Sequence, residues 1–289
     1  MKQFATLFIF MLMGMVDGYA STDRIYLSPM EASRWVITEN SPIRCELEHV
    51  IPRFGKAVFY QESGRRLQLK VISNYQYKKD LDISFRSVTA NWKGLHTEAN
   101  LAELKSPGAG PLIQVVDNTA RQAYFELQQG YQPSLFFIDD EDGFNSVAVI
   151  LSTVRFRDVD LDFKDCVNGL IPYHFTDINH ARVQFDFDDE FPQMEEEERA
   201  LSKMVSYLKV DASVKYVTVT GHTDYKGTVC YNETLSARRA WYIYDYLVQS
   251  GIDPKKLHIE FKGETEPLNK GKDDSAREIN RRVEVSLIK

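Results

Sequence analysis

The sequence is short of positive charge, of cysteine and of long hydrophobic runs, and each shortage excludes a class of function. Lys and Arg number 35 against 42 Asp and Glu in 289 residues, a net charge of −7. Binding a phosphate backbone needs a basic surface, and no basic block is present, so a nucleic-acid partner is excluded. The one long apolar run, Phe4 to Val16, has thirteen residues and ends at Asp17. A helix crossing the hydrocarbon core needs about 20, so no membrane span is expected in the mature chain. The three cysteines show no CxxC and no close Cys/His spacing, so neither a metal site nor a cofactor is expected. An activated-nucleophile motif is also missing, which argues against an enzyme. Disorder is excluded by the 15 Tyr, 17 Phe and 3 Trp, a content that seeks burial.

What is present begins with an address. Lys2, the apolar run and Gly18-Tyr19-Ala20 have the layout of a secretory signal at residues 1–20, with cleavage expected after Ala20. No cysteine follows where a lipoprotein signal would carry one. The mature chain is therefore expected in the periplasm, an oxidising space in which an even subset of cysteines pairs. Cys45 and Cys166 flank the first half of the mature chain and Cys230 lies deep in the second, so the expected bridge is Cys45–Cys166, with Cys230 a free thiol.

Two rhythms divide the rest. From 21 to about 170, short runs rich in β-branched and aromatic residues alternate with Gly, Pro, Asn and Asp clusters: 57–60, 67–75, 81–85, 111–116, 122–127, 134–138 and 146–156. This pattern predicts an all-β domain, barrel or sandwich-like. After about 168 strands alternate with amphipathic helices, which predicts an α/β domain over 175–289. Strands are expected at 181–187, 215–221, 256–263 and 282–288. One helix is expected at 195–208, its glutamates gathered at the dipole-favoured start, and a second after Asn232 as N-cap, stopped by Gly251.

The loop 221–227, GHTDYKG, and the helix behind it hold the densest chemistry. Asp224 stands in a turn flanked by glycines, and Asn232, Leu235 and Arg239 at i, i+3, i+7 share one helix stripe. An acid on the loop thus faces a guanidinium on the helix. His222 is expected as a turn residue with its ring on the sheet edge.

The stretch from VTVTGHTD (217–224) through NETLSARRAW (232–241) to NRRVEVSLI (280–288), preceded by VQFDFDDEFP (183–192), resembles the OmpA-like peptidoglycan-binding family. That resemblance implies a domain that grips the diaminopimelate of the cell-wall peptide without cleaving it. By motif position it implies binding roles for Asp224, Arg239, Asp188 and Leu235, with Thr223, Asn232 and Arg282 beside them. Such a ligand presents a carboxylate and an ammonium together, suited to Arg239 on one side and to Asp224 and Asp188 on the other. The chain departs from the family pattern at Ala276, where a glycine is usual, and at Cys230.

Upstream, SPIRCELEHVIPRFGKAVF (41–59) and FKDCVNGL (163–170) resemble the N-terminal domain of the MotY family, soluble periplasmic proteins of sodium-type flagellar motors. The resemblance implies the same Cys45–Cys166 bridge. It also implies a T-ring role: docking of 21–170 on the flagellar basal body beside MotX, support for incorporating the stator B protein, and anchorage to peptidoglycan through 175–289. The alternative is a general envelope tether that links another periplasmic or outer-membrane assembly to the wall.

Overall fold

Alternation of buried and exposed residues every second position builds the first domain. The computed structural model describes residues 24–77, 80–90, 92–94, 98–106, 111–139, 145–192 and 195–289. The expected signal at 1–20 lies outside the described residues. Strands β1 (Arg24–Leu27), β2 (Trp35–Ser41), β3 (Arg44–Ile51), β4 (Gly55–Glu62), β5 (Gln68–Ser73), β6 (Asp82–Thr89), β7 (Glu98–Lys105) and β8 (Ile113–Val116) precede helix α1 (Asp117–Gln129). Strands β9 (Tyr131–Ile138) and β10 (Ser146–Ile150) and helix α2 (Arg157–Asn168) follow. In β3 the side chains of Cys45, Leu47, His49 and Ile51 all turn inward, the period-two signature of a half-buried strand.

The strands form two five-stranded sheets, β2-β3-β4-β5-β8 and β1-β10-β9-β6-β7. Both feed one hydrophobic core, Leu47 and Phe59 from the first sheet and Phe85, Leu135 and Val149 from the second. Neither sheet closes on itself, so the sandwich-like expectation holds and the barrel does not. Trp35 stacks on His49 at 4.7 Å, and its indole N–H donates to the Ser152 carbonyl at 2.8 Å.

One expected strand is helical and another is cut short. Residues 122–127 lie inside α1, where Ala120, Ala123, Tyr124 and Leu127 face the core at helical spacing. A buried stripe of period 3.6 outweighs the β preference of Tyr and Phe. The run 146–156 stops as a strand at Ile150, and the chain turns into α2, which buries Phe163 and Cys166. The expected disulfide is present: Cys45 on β3 is bonded to Cys166 on α2 across 121 residues, and Cys230 is a free, exposed cysteine.

The second domain comprises α3 (Phe175–Ile178), β11 (His180–Gln184), α4 (Glu195–Leu208), β12 (Tyr216–His222), α5 (Val229–Gln249), β13 (Leu257–Gly263), α6 (Asp274–Asn280) and β14 (Arg282–Ile288). Its sheet runs β11-β14-β12-β13, with β12 and β13 parallel and the other pairs antiparallel. Leu201 and Met204 of α4 and Ile243 and Leu247 of α5 pack on Val183, Val219 and Val285 of the sheet. Helix α5 begins before Asn232. The N-cap is Thr228, whose side-chain oxygen accepts from the Tyr231 N–H, and Asn232 is buried one turn further in. The strand expected at 181–187 stops at Gln184 because the chain enters a turn in which Asp188 has φ 61°.

The domains meet at a short junction. The Ile171 N–H donates to the Pro42 carbonyl at 2.9 Å. Arg65 forks onto both carboxylate oxygens of Asp177 at 2.8 and 2.9 Å and donates to the Thr176 hydroxyl at 2.7 Å. Ile43 reaches from the first domain onto the second core. Among the described residues no helix is long and apolar enough to cross a membrane.

Candidate functional site

Four segments of the second domain converge on one open cavity of about 330 Å3: the turn after β11, the loop between β12 and α5, the first three turns of α5, and Arg281 between α6 and β14. The approach is set by Gly221 on β12. A Cβ there would lie 2.1 Å from the Ser236 carbonyl oxygen, so only glycine lets α5 rest on the strand end. Beyond that contact Thr223 and Asp224 pass over the end of the sheet into the cavity wall. The Thr223 N–H is tied to the Gly263 carbonyl at 2.8 Å.

Arg239 organises the site from within. It is fully buried and donates to three main-chain carbonyls, from Nε to Asp189 at 2.8 Å, from Nη1 to His222 at 3.2 Å and from Nη2 to Asp186 at 3.1 Å. Of five guanidinium N–H groups, two make no hydrogen bond among the described residues. Its face lies 5.1 Å from the Phe185 ring centre. Burial pushes its pKa down to about 10, Arg281 adds to the fall, and Asp224, Asp189 and Asp188 oppose it. The side chain is therefore charged at neutral pH.

The acid on the loop and the guanidinium on the helix share the cavity, but they are not each other's ion pair. One oxygen of the buried Asp224 accepts the Lys226 N–H at 2.9 Å, and the other lies 3.3 Å from Nη1 of Arg281. Arg281 also donates to the Phe185 carbonyl at 3.1 Å. Asp188 stands exposed at the cavity wall and accepts from the Tyr231 hydroxyl. That carboxylate holds the Tyr231 phenol above its ordinary pKa. Thr223, Asn232 and Leu235 also line the cavity, and Asn232 donates to Glu264. The Thr223 hydroxyl is buried with no hydrogen-bond partner among the described residues, a costly state for a polar group unless something else fills the role.

Of the residues expected from sequence, Asp224, Arg239, Asp188, Leu235, Thr223 and Asn232 come together and Arg282 does not. Arg282 is buried elsewhere, donating to Glu284 at 2.8 Å and to the carbonyls of Asn280 and Glu266. The cavity takes its neighbour Arg281 instead. Adjacent residues at a strand start face opposite ways, and nothing in the Arg-Arg pair says which one faces the cavity. One further expectation changes. His222 is the last residue of an interior strand, not a turn residue at a sheet edge. Burial, seconded by Arg282, pushes its pKa down to about 4. Cys230 sits exposed in the first turn of α5, outside the cavity lining.

The chain matches the MotY N-terminal domain family over residues 26–172 and the OmpA family over residues 186–281. Every residue lining the cavity falls within the second match. Sodium-type flagellar protein MotY of Vibrio parahaemolyticus is 25% identical over 276 residues, 94% of this chain and 92% of that protein. Outer membrane protein A of Bordetella avium is 36% identical over 109 residues, 38% of this chain and 55% of that protein. The peptidoglycan-associated lipoprotein of Pseudomonas aeruginosa is 39% identical over 87 residues, 30% of this chain and 51% of that protein. With the first match spanning half of its length, the chain belongs to the MotY N-terminal domain family and carries behind that domain a second one of the OmpA family.

Proposed function

We propose that this protein is a non-enzymatic structural component of a flagellar motor, working in the periplasm after removal of residues 1–20. Residues 21–170 dock on the basal body as part of a T ring, beside a MotX-like partner. Residues 175–289 hold peptidoglycan and so support incorporation of the stator B protein. The single observation that carries the wall-binding half is the composition of the cavity. Arg239 keeps two donors for a carboxylate, Asp224 and Asp188 offer acceptors for an ammonium, and the Thr223 hydroxyl lacks a partner. That set matches the amino-acid head at the far end of diaminopimelate. Each charge-assisted bond contributes about 1.5 to 3 kcal/mol, so one site binds modestly and many copies on one sacculus supply retention.

The motor reading is preferred to a general envelope tether because the MotY relative aligns with 94% of the chain, whereas the envelope relatives align with 38% and 30% of it. The wall-binding half is tested by co-sedimentation with purified sacculi. Asp224→Asn keeps the oxygen that accepts the Lys226 N–H but loses the charge, and it is expected to lower retention at least fivefold with unchanged circular dichroism. Wild-type retention by this variant overturns the reading. For the motor half, a deletion strain is expected to keep its filaments and lose swimming. Normal swimming with a leaky envelope would favour the tether.

A further inference from the structure

The charged residues that line the cavity do not cancel. Asp188 and Asp224 stand against Lys226, Arg239 and Arg281, a formal balance of one positive charge over the lining. A ligand head that carries one carboxylate and one ammonium is neutral and leaves that surplus in place. The pairing locates it. Arg281 is matched by Asp224 at 3.3 Å, and on the reading above Arg239 meets the carboxylate of the head and Asp188 and Asp224 its ammonium. Lys226 is left over: it makes no ion pair among the described residues, and its ammonium lies 5.6 Å from the ring centre of the exposed Phe187. An exposed ammonium beside an aromatic face, on the wall of a cavity already supplied with acceptors, is a site for a second anion.

We propose that Lys226 receives a second carboxylate of the bound residue, so that the site selects a dicarboxylic amino acid with both of its acid groups ionised. This rests on the amino-acid-head reading given above and adds a residue and a selectivity to it. A cavity of about 330 Å3 has room for one residue with its two ends, which assigns the second carboxylate to the residue that carries the head. The main-chain N–H of Lys226 already serves Asp224. One residue thus fixes the buried acid through its backbone and presents a cation through its side chain.

The test is calorimetric titration of the full chain at low salt with two synthetic peptides, L-Ala-γ-D-Glu-meso-diaminopimelate and the same peptide with the diaminopimelate carboxyl next to the peptide nitrogen converted to a carboxamide. Wild type is expected to bind the acid about threefold to fivefold more tightly, the range of a partly exposed ion pair, and the preference should shrink as salt is raised. K226Q is expected to bind both peptides equally, at the wild-type level for the amide. Equal binding of both peptides by wild type, or an undiminished preference in K226Q, overturns the assignment. Loss of binding to both peptides in D224N separates the two readings, because it reports the head site whatever Lys226 does. If wild type binds neither peptide, the head reading and the Lys226 assignment fall together.

Discussion

Arg239 is at once a prospective ligand donor and the clasp of its own site. Its three main-chain bonds tie the turn at 186–189 to the end of β12, so Asp188 is held in place by the side chain expected to share its ligand. Replacing it with alanine leaves three carbonyls without their donor, each costing about 1 to 3 kcal/mol if it stays buried. We expect Arg239→Ala to be destabilised by at least about 3 kcal/mol, read as a lower thermal midpoint. A melt indistinguishable from wild type would mean that other contacts hold the turn. His222 carries a different signature. The unfolded chain takes up its proton at the ordinary histidine value of 6.5, the folded chain only near 4. Between those values the unfolded state binds more protons, so stability falls as pH drops from 6.5 to about 4, with no further loss from this group below that. Burial lowers His49 in the first domain as well and acts in the same direction. Urea midpoints taken across this window should rise with pH and rise less steeply in His222→Gln; an equal slope in the variant would clear His222 of any part in it.

At the scale of elements, legibility followed the strength of the local pattern. The helix at 195–208 and the strand at 282–288 were readable to the residue, the first from its acidic start and apolar stripe and the second from strict alternation. The segment 122–127 misled because Tyr and Phe prefer strands, while the helical stripe shows only when Ala120, outside the segment, is counted with Ala123, Tyr124 and Leu127. Spacing gave the shared stripe of Asn232, Leu235 and Arg239, while the grouping of Asp188 and Thr223 with them came from the family resemblance. The partner of Asp224 was not legible, because choosing between Arg281 and Arg282 requires the phase of a strand whose first residue is Arg282. The seat of α5 on β12 is the element on which the cavity depends. Gly221→Ala would set a methyl 2.1 Å from the Ser236 carbonyl oxygen and force the helix outward. The expected cost is about 1 to 3 kcal/mol, as for overpacking, together with weakened retention on sacculi. Chemical denaturation and co-sedimentation of the same preparation check both, and a variant unchanged in both would mean that the helix yields without cost.

Over the whole molecule, two cores are joined through a short connection, and one covalent cross-link lies within the first of them. The cross-link was foreseeable from the placement of the cysteines, whereas the junction was not: the contacts of Arg65 with 174–177 join residues about 110 apart, and no local pattern marks them. Closing a loop of this length is worth up to about 4 to 5 kcal/mol in the chain-entropy account. A reductant, or the pair Cys45→Ala and Cys166→Ala, is therefore expected to lower the denaturant midpoint of the first domain by that order. Coincident unfolding curves with and without reductant would show the bond to be energetically idle.

The position of that bond has a mechanical consequence. A pull on the second domain enters the first through residues 169–171, and only three residues before Gly169 the chain is bonded at Cys166 to Cys45 on β3. Tension arriving there is handed to a covalent strut and spread over the hydrogen bonds of a central strand, instead of peeling α2 from its bed one turn at a time. A protein stretched between two fixed structures would then fail by shearing a sheet, a far stiffer mode than unwinding a helix.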